Sequence, residues 1–174
     1  MANHSDAMVS EFLHYNRWAN LSLLDACLVL TPDQLSLSVP GVYGSIYDTV
    51  MHIVKAEAGY YRRLAGVGLD SPFEWGSNPP LSKIRPYAEQ VSSALVESAE
   101  QMRDTDSFPR DWDDPGWEGT SARFKSVGLL IQVVNHGIEH RTNITTIMSA
   151  KGIQAPGLDG WEYMRLNLDR LGVS

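Results

Sequence analysis

His136 and His140 sit four residues apart in the run Val133-Val134-Asn135-His136-Gly137-Ile138-Glu139-His140-Arg141. In a helix that spacing leaves two side chains about 40° apart and about 6 Å along the axis. Two imidazoles so placed can share one metal ion. The chain has five His. Both of these fall inside an apolar stripe of Leu129, Leu130, Val133, Gly137, Ile144, Ile147 and Met148, so helix phase turns them inward. Burying an imidazole is costly unless its nitrogens find partners. The pair therefore marks a polar pocket in an apolar core, satisfied either by a metal or by carbonyls and carboxylates.

An open metal site needs a third ligand. His52, mid-helix in Thr49-Val50-Met51-His52-Ile53-Val54-Lys55-Ala56-Glu57, is the best candidate, because Ala56 and Gly59 on its face leave room beside it. His4 and His14 lack a partner at helical spacing and read as rim residues. Three carboxylates lie close in sequence. Asp48, one turn before His52, either orients that ring or serves a helix cap. Glu57 lies about 140° from His52 around the helix. Glu139 either flanks the metal or faces solvent. Glu57 and Tyr60 are candidates for proton transfer. Arg141 either holds an anionic substrate group or is a salt-bridged structural residue.

Three neutral His leave the full divalent charge on the ion, which would lower the pKa of a bound water or thiol. Imidazole donors suit Zn, Ni, Cu and Fe alike, so they do not choose the metal. His136-Gly137-Ile138-Glu139-His140 also satisfies H-x-x-E-H, the inverted zincin pattern. A protease of that type takes an acidic third ligand far downstream, whereas 34 residues follow His140. Its substrate-binding sheet also has no counterpart in the sequence.

The elements that must position these residues read as helical. Met8, Phe12, Tyr15, Ala19, Leu23 and Ala26 recur at three- and four-residue steps and predict a first helix over 6–29. Thr31-Pro32-Asp33 predicts a short helical turn. Ser45-Ile46-Tyr47-Asp48 has capping-box spacing and opens a second helix that runs to about Ala65. A third helix covers about 82–104 with Pro86 in its first turn, where a missing N–H costs little. Residues 105–121 form the longest irregular stretch. Its two Trp suggest a folded-back lid or a partner surface, and at most 117–125 holds a short extended piece. A fourth helix over about 126–150 ends near Gly152, a suitable C′ residue. A last short helix covers about 160–171. Four long helices predict an all-α, four-helix bundle with a short extra C-terminal helix, in one domain over 1–174.

Composition narrows the function classes. At 174 residues, the chain buries about 70% of its unfolded surface and needs no staples. A formal charge of −7 and a pI near 5.1 argue against a nucleic-acid footprint. Arg62-Arg63 reads as an exposed helix end. The single Cys, Cys27, forms no intramolecular disulfide and reads as a small buried apolar residue with no basic neighbour to activate it. There is no signal-peptide pattern at Met1-Ala2-Asn3-His4 and no apolar run of membrane-spanning length. A soluble, cytoplasmic protein is the expectation.

Several ordered blocks resemble the DinB-like superfamily, which includes the YfiT-type metal-dependent hydrolases. Tyr15-Asn16-Arg17-Trp18-Ala19-Asn20 is similar to its first-helix signature. The stretch from Ile46 to Glu57 resembles its pattern of one His followed by a Glu. Asn135 to Ile144 carries its H-x-x-x-H-R block, and Leu158-Asp159-Gly160-Trp161-Glu162-Tyr163 its acidic-Trp-aromatic tail. The resemblance implies a four-helix bundle and a divalent metal, Zn or Ni, on His52, His136 and His140. It also implies a homodimer, and an enzyme of hydrolase type or of thiol-dependent S-transferase or isomerase type. The thiol-dependent members use a low-molecular-weight thiol such as mycothiol or bacillithiol. Gly137 is small where the family often has a bulkier residue, which would enlarge the pocket. The alternative is a non-catalytic metal-binding or stress-related dimeric module. The substrate is not legible.

Overall fold

The computed structural model describes residues 4–105, 112–117, 120–124 and 126–171, and the side chains of 8–101, 128–169 and 171. Four long helices carry the architecture: α1 (His4–Leu28), α3 (Ile46–Ala65), α4 (Leu81–Thr105) and α5 (Ser126–Ala150), with single-turn α2 (Pro32–Leu35) between the first two. Two short helices, α6 (Gly160–Leu166) and α7 (Leu168–Leu171), close the chain. The fold is thus the helical bundle with an extra C-terminal piece that the sequence predicts. The last helix is split at Asn167, whose backbone leaves the helical region and whose Nδ2 donates to Tyr163 O at 2.8 Å.

The helix ends follow from local chemistry. Ser45 caps α3: its Oγ accepts from the Asp48 N–H at 3.1 Å and donates to Asp48 Oδ2 at 2.6 Å. Thr31 and Gln34 form the same reciprocal box on α2. Gly152, at φ +70°, ends α5, with Ile153 N–H returning to Met148 O at 2.8 Å. That left-handed position favours glycine. Pro86 lies in the second turn of α4 rather than the first, so its ring removes one helical hydrogen bond there.

The long helices pack as a ring. α1 lies against α4 and α5, and α3 lies against α4 and α5, which puts α1 and α3 on a diagonal. The core joins Leu13, Leu23 and Cys27 of α1, Val50 and Val54 of α3, Ile84, Val91 and Leu95 of α4, and Val133, Ile144 and Ile147 of α5. Burial pushes the Cys27 thiol up to about 12, which fits a packing residue. Among the described residues no helix is long and apolar enough to cross a membrane.

Two expectations need correction. The buried face of α1 keeps Ala19 and Leu23 of the apolar stripe but not its first members. Met8 and Phe12 are exposed, while Leu13, Asn16, Ala19, Asn20, Leu23 and Cys27 are buried. The helix is turned this way because both asparagines have partners in the core. Second, the stretch read as irregular contains a strand, β1 (Trp112–Trp117), which pairs antiparallel with β2 (Thr120–Phe124), itself inside the 117–125 piece expected to be extended at most; Trp112 pairs with Phe124 and Trp117 with Thr120. The side chains of the two Trp offered as a lid, and that of His4, lie outside the described residues.

Removing the α3 cap should weaken the element that carries His52. Ser45→Ala is expected to cost about 1 kcal/mol of stability in denaturant unfolding. An unchanged midpoint would show that the cap does not hold α3.

Candidate metal centre

Helix α3 brings His52, and helix α5 brings His136 and His140, to one place. One ligand atom from each ring lies within 4.8 Å of the others. The Nε2 atoms of His52 and His136 are 2.9 Å apart. Their ring centroids lie 4.8 Å apart, with His52 and His140 at 4.5 Å and His136 and His140 at 4.3 Å. His140 presents Nδ1 to the Asn143 side-chain amide at 3.4 Å, leaving Nε2 as its other nitrogen.

This geometry fits a divalent metal. With Zn–N bonds of about 2.0–2.1 Å, tetrahedral donors stand about 3.3 Å apart. The 2.9 Å pair must open slightly, and the other separations, all within 4.8 Å, must close by at most about 1.5 Å, a change on the scale of side-chain rotation. Burial, the largest cause in each case, holds all three imidazoles below their ordinary range, His136 down to about 4, and the neighbouring rings add to this at His52 and His136. Neutral rings offer the lone pairs that metals take.

Two tyrosines bracket the cluster. Tyr43, in the turn before α3, stacks on His52 at 4.2 Å and meets His140 edge-on at 5.0 Å. It is 54% exposed, so it stands between the histidines and solvent. Tyr60 meets His136 edge-on at 5.7 Å, and its hydroxyl accepts from Gln132 Nε2 at 3.3 Å. Burial pushes its phenol up. No spacing rule pointed to Tyr43, because a loop side chain has no helical phase.

The remaining candidates lie elsewhere. Asp48 is exposed and spent on the cap, and Glu139 is exposed. His14 pairs with Glu100 at 3.1 Å. Glu57 and Arg141 are 2% and 3% exposed. Glu57 Oε1 accepts from Asn16 and Asn20, and Arg141 Nη1 donates to both. Burial pushes the Glu57 carboxyl up to about 7, against the pull of Asn16, Arg141 and Asn20. The asparagines were missed as site residues, although their four-residue spacing is the signal that exposed the histidine pair. The space that Gly137 leaves is not an enlarged pocket. A Cβ there would overlap Asn16 Oδ1 and Arg141 Nη1, so the glycine admits the bridge.

Two outcomes follow. Gly137→Ala should destabilise the protein by about 1–3 kcal/mol, as overpacking does; a neutral effect in thermal unfolding would contradict the close approach. For His136 the folded pKa lies near 4 against 6.5 when unexposed to burial. The unfolded chain therefore binds more protons between these values, and stability is lost as pH falls from 6.5 to 4. In metal-free protein that slope should flatten in His136→Ala. An identical slope would mean that the ring titrates normally.

Among curated proteins none matches this chain. A solved structure of a DinB-like protein from Bacillus cereus ATCC 10987 shares 21% identity, with a TM-score of 0.58 over 83% of this chain and 91% of that one. At that identity the likeness shows the fold. The model of the DinB family matches residues 1–171. With nearly the whole length matched, a helical bundle of the same architecture and three histidines gathered on two of its helices, the chain belongs to the DinB family.

Proposed function

We propose that this protein holds one divalent metal ion, Zn or Ni, on His52, His136 and His140 and is a metal-dependent enzyme. The convergence of three neutral imidazoles from two helices carries the reading. Three protein ligands leave further coordination positions for water or substrate. When bound, the ion would supply Lewis acidity and favour the deprotonated form of a water or thiol nucleophile.

The chain's own groups have separate tasks in this reading. Tyr60, beside His136, stays a neutral phenol and serves as the proton-transfer group. Tyr43 faces solvent across His52 and His140, where an incoming molecule would pass. Glu57 and Arg141 act behind the histidines, since both are buried and bonded to asparagines. The reaction is hydrolysis, or transfer or isomerisation with a low-molecular-weight thiol as cosubstrate. A homodimer belongs to the same reading, and an apolar groove between α1 and α5, lined by Val9, Phe12, Ile131 and Ile138, supports it.

Elemental analysis of untagged protein, reconstituted and desalted, should give close to one equivalent of divalent metal per chain, lost in His136→Ala. Full metal content in that variant would sink the site. Metal-loaded protein with thiols and electrophiles should turn over, and Tyr60→Phe should slow that turnover by about 10²–10⁴ at unchanged metal content. No turnover across the panel would leave a binding protein.

A further inference from the structure

Next to the histidines lies a second polar layer, built from Asn16 and Asn20 on α1, Glu57 on α3 and Arg141 on α5. All four side chains are at most 4% exposed. Each asparagine amide spans the same gap. Nδ2 of Asn16 and Asn20 donates to Glu57 Oε1 at 2.6 and 2.7 Å. Oδ1 of each accepts from Arg141 Nη1 at 2.7 and 2.6 Å. Both protons of Nη1 are thereby used. The guanidinium also sits 5.6 Å from the Tyr15 ring centroid, within cation–π range. One cluster thus ties three helices, including the diagonal pair α1 and α3.

The charged pair of the layer stands on the same two helices as the histidines. Glu57 shares α3 with His52, and Arg141 shares α5 with His136 and His140. The two helices run in opposite directions, since His52 meets His136 and His140 whereas Tyr60, two turns further along α3, meets His136 and Gln132. Glu57 lies five residues from His52 on one rigid helix, about 7.5 Å of rise, and Arg141 directly follows His140 on the other. A rotation or slip of α5 against α3 that moved Arg141 off its asparagines would therefore move His136 and His140 off His52. Gly137, one residue from His136 and four from Arg141, is where the bridge crosses α5 without a side chain in its way. An apolar layer of the same volume is often as stable or more so, so fixing geometry is a role that stability alone does not give this buried pair.

We propose that Asn16, Asn20, Glu57 and Arg141 form a positioning layer that aims His52, His136 and His140 at one point, an inference that rests on the metal-holding role proposed for those histidines. These four are positioning residues, since none of them needs to touch metal or substrate.

The test uses Co(II) alone as the probe on the full chain. Glu57→Leu with Arg141→Met removes both charges and keeps the volume. The metal-free double variant should retain helical circular dichroism and cooperative unfolding. Its Co(II) affinity should fall about 10–100-fold, the usual effect of losing groups that orient ligands, with an altered d–d band. Asn20→Ala, which keeps the Asn16 bridge, stands in if the double variant does not fold; it should lose affinity in the same direction but by less. A folded variant with wild-type affinity and spectrum overturns the positioning role. His136→Ala runs alongside. Co(II) binding that ignores His136 overturns the metal role and this inference with it, whereas binding that needs His136 yet ignores the layer overturns the inference alone.

Discussion

A polar group inside a helical bundle must find its partner inside the bundle, and two such sets of partners organise this molecule. One is the triangle of His52, His136 and His140. The other is the Asn16–Asn20–Glu57–Arg141 cluster, in which two amides join a carboxylate to a guanidinium. Leaving such groups unpaired costs on the order of 1–3 kcal/mol, or more for charges, and among the described residues Arg141 Nη2 is the buried side-chain atom left without a hydrogen bond. That constraint turns α1 so that two asparagines face inward and Met8 and Phe12 outward.

The same constraint explains residues that look costly in isolation. Glycine in a helix interior is unfavourable by roughly 1 kcal/mol relative to Ala. Gly137 nevertheless stands mid-helix in α5, because any Cβ would collide with the bridge. Stacking a half-exposed tyrosine on an imidazole leaves an aromatic face in water. At Tyr43 it also encloses the cluster on its open side. The helix caps at Ser45 and Thr31 then fix where α2 and α3 begin.

How much of this was legible depended on periodicity. The four long helices and the inward phase of His136 and His140 follow from the 3.6-residue repeat, and His52 from the shortage of other candidates. The burial of Asn16 and Asn20 did not follow, because hydrophobic periodicity gives an asparagine no reason to face the core. Their reason lies in Glu57 and Arg141, on helices 37 or more residues away, a contact that no local pattern encodes. Strand β1 was hidden for a related reason, since Pro115 and Gly116 argue against a strand, whereas β2 falls within the extended piece allowed at 117–125. The sequence showed that Glu57 and Arg141 were special residues but not that they meet the same two side chains.

X-ray absorption at the metal edge of zinc-reconstituted protein addresses the central claim most directly. Three imidazole nitrogens at about 2.0–2.1 Å, with the multiple scattering of intact rings, are the predicted first shell. A shell of oxygen or sulfur with one imidazole or none would contradict the assignment of His52, His136 and His140 as the metal-holding set.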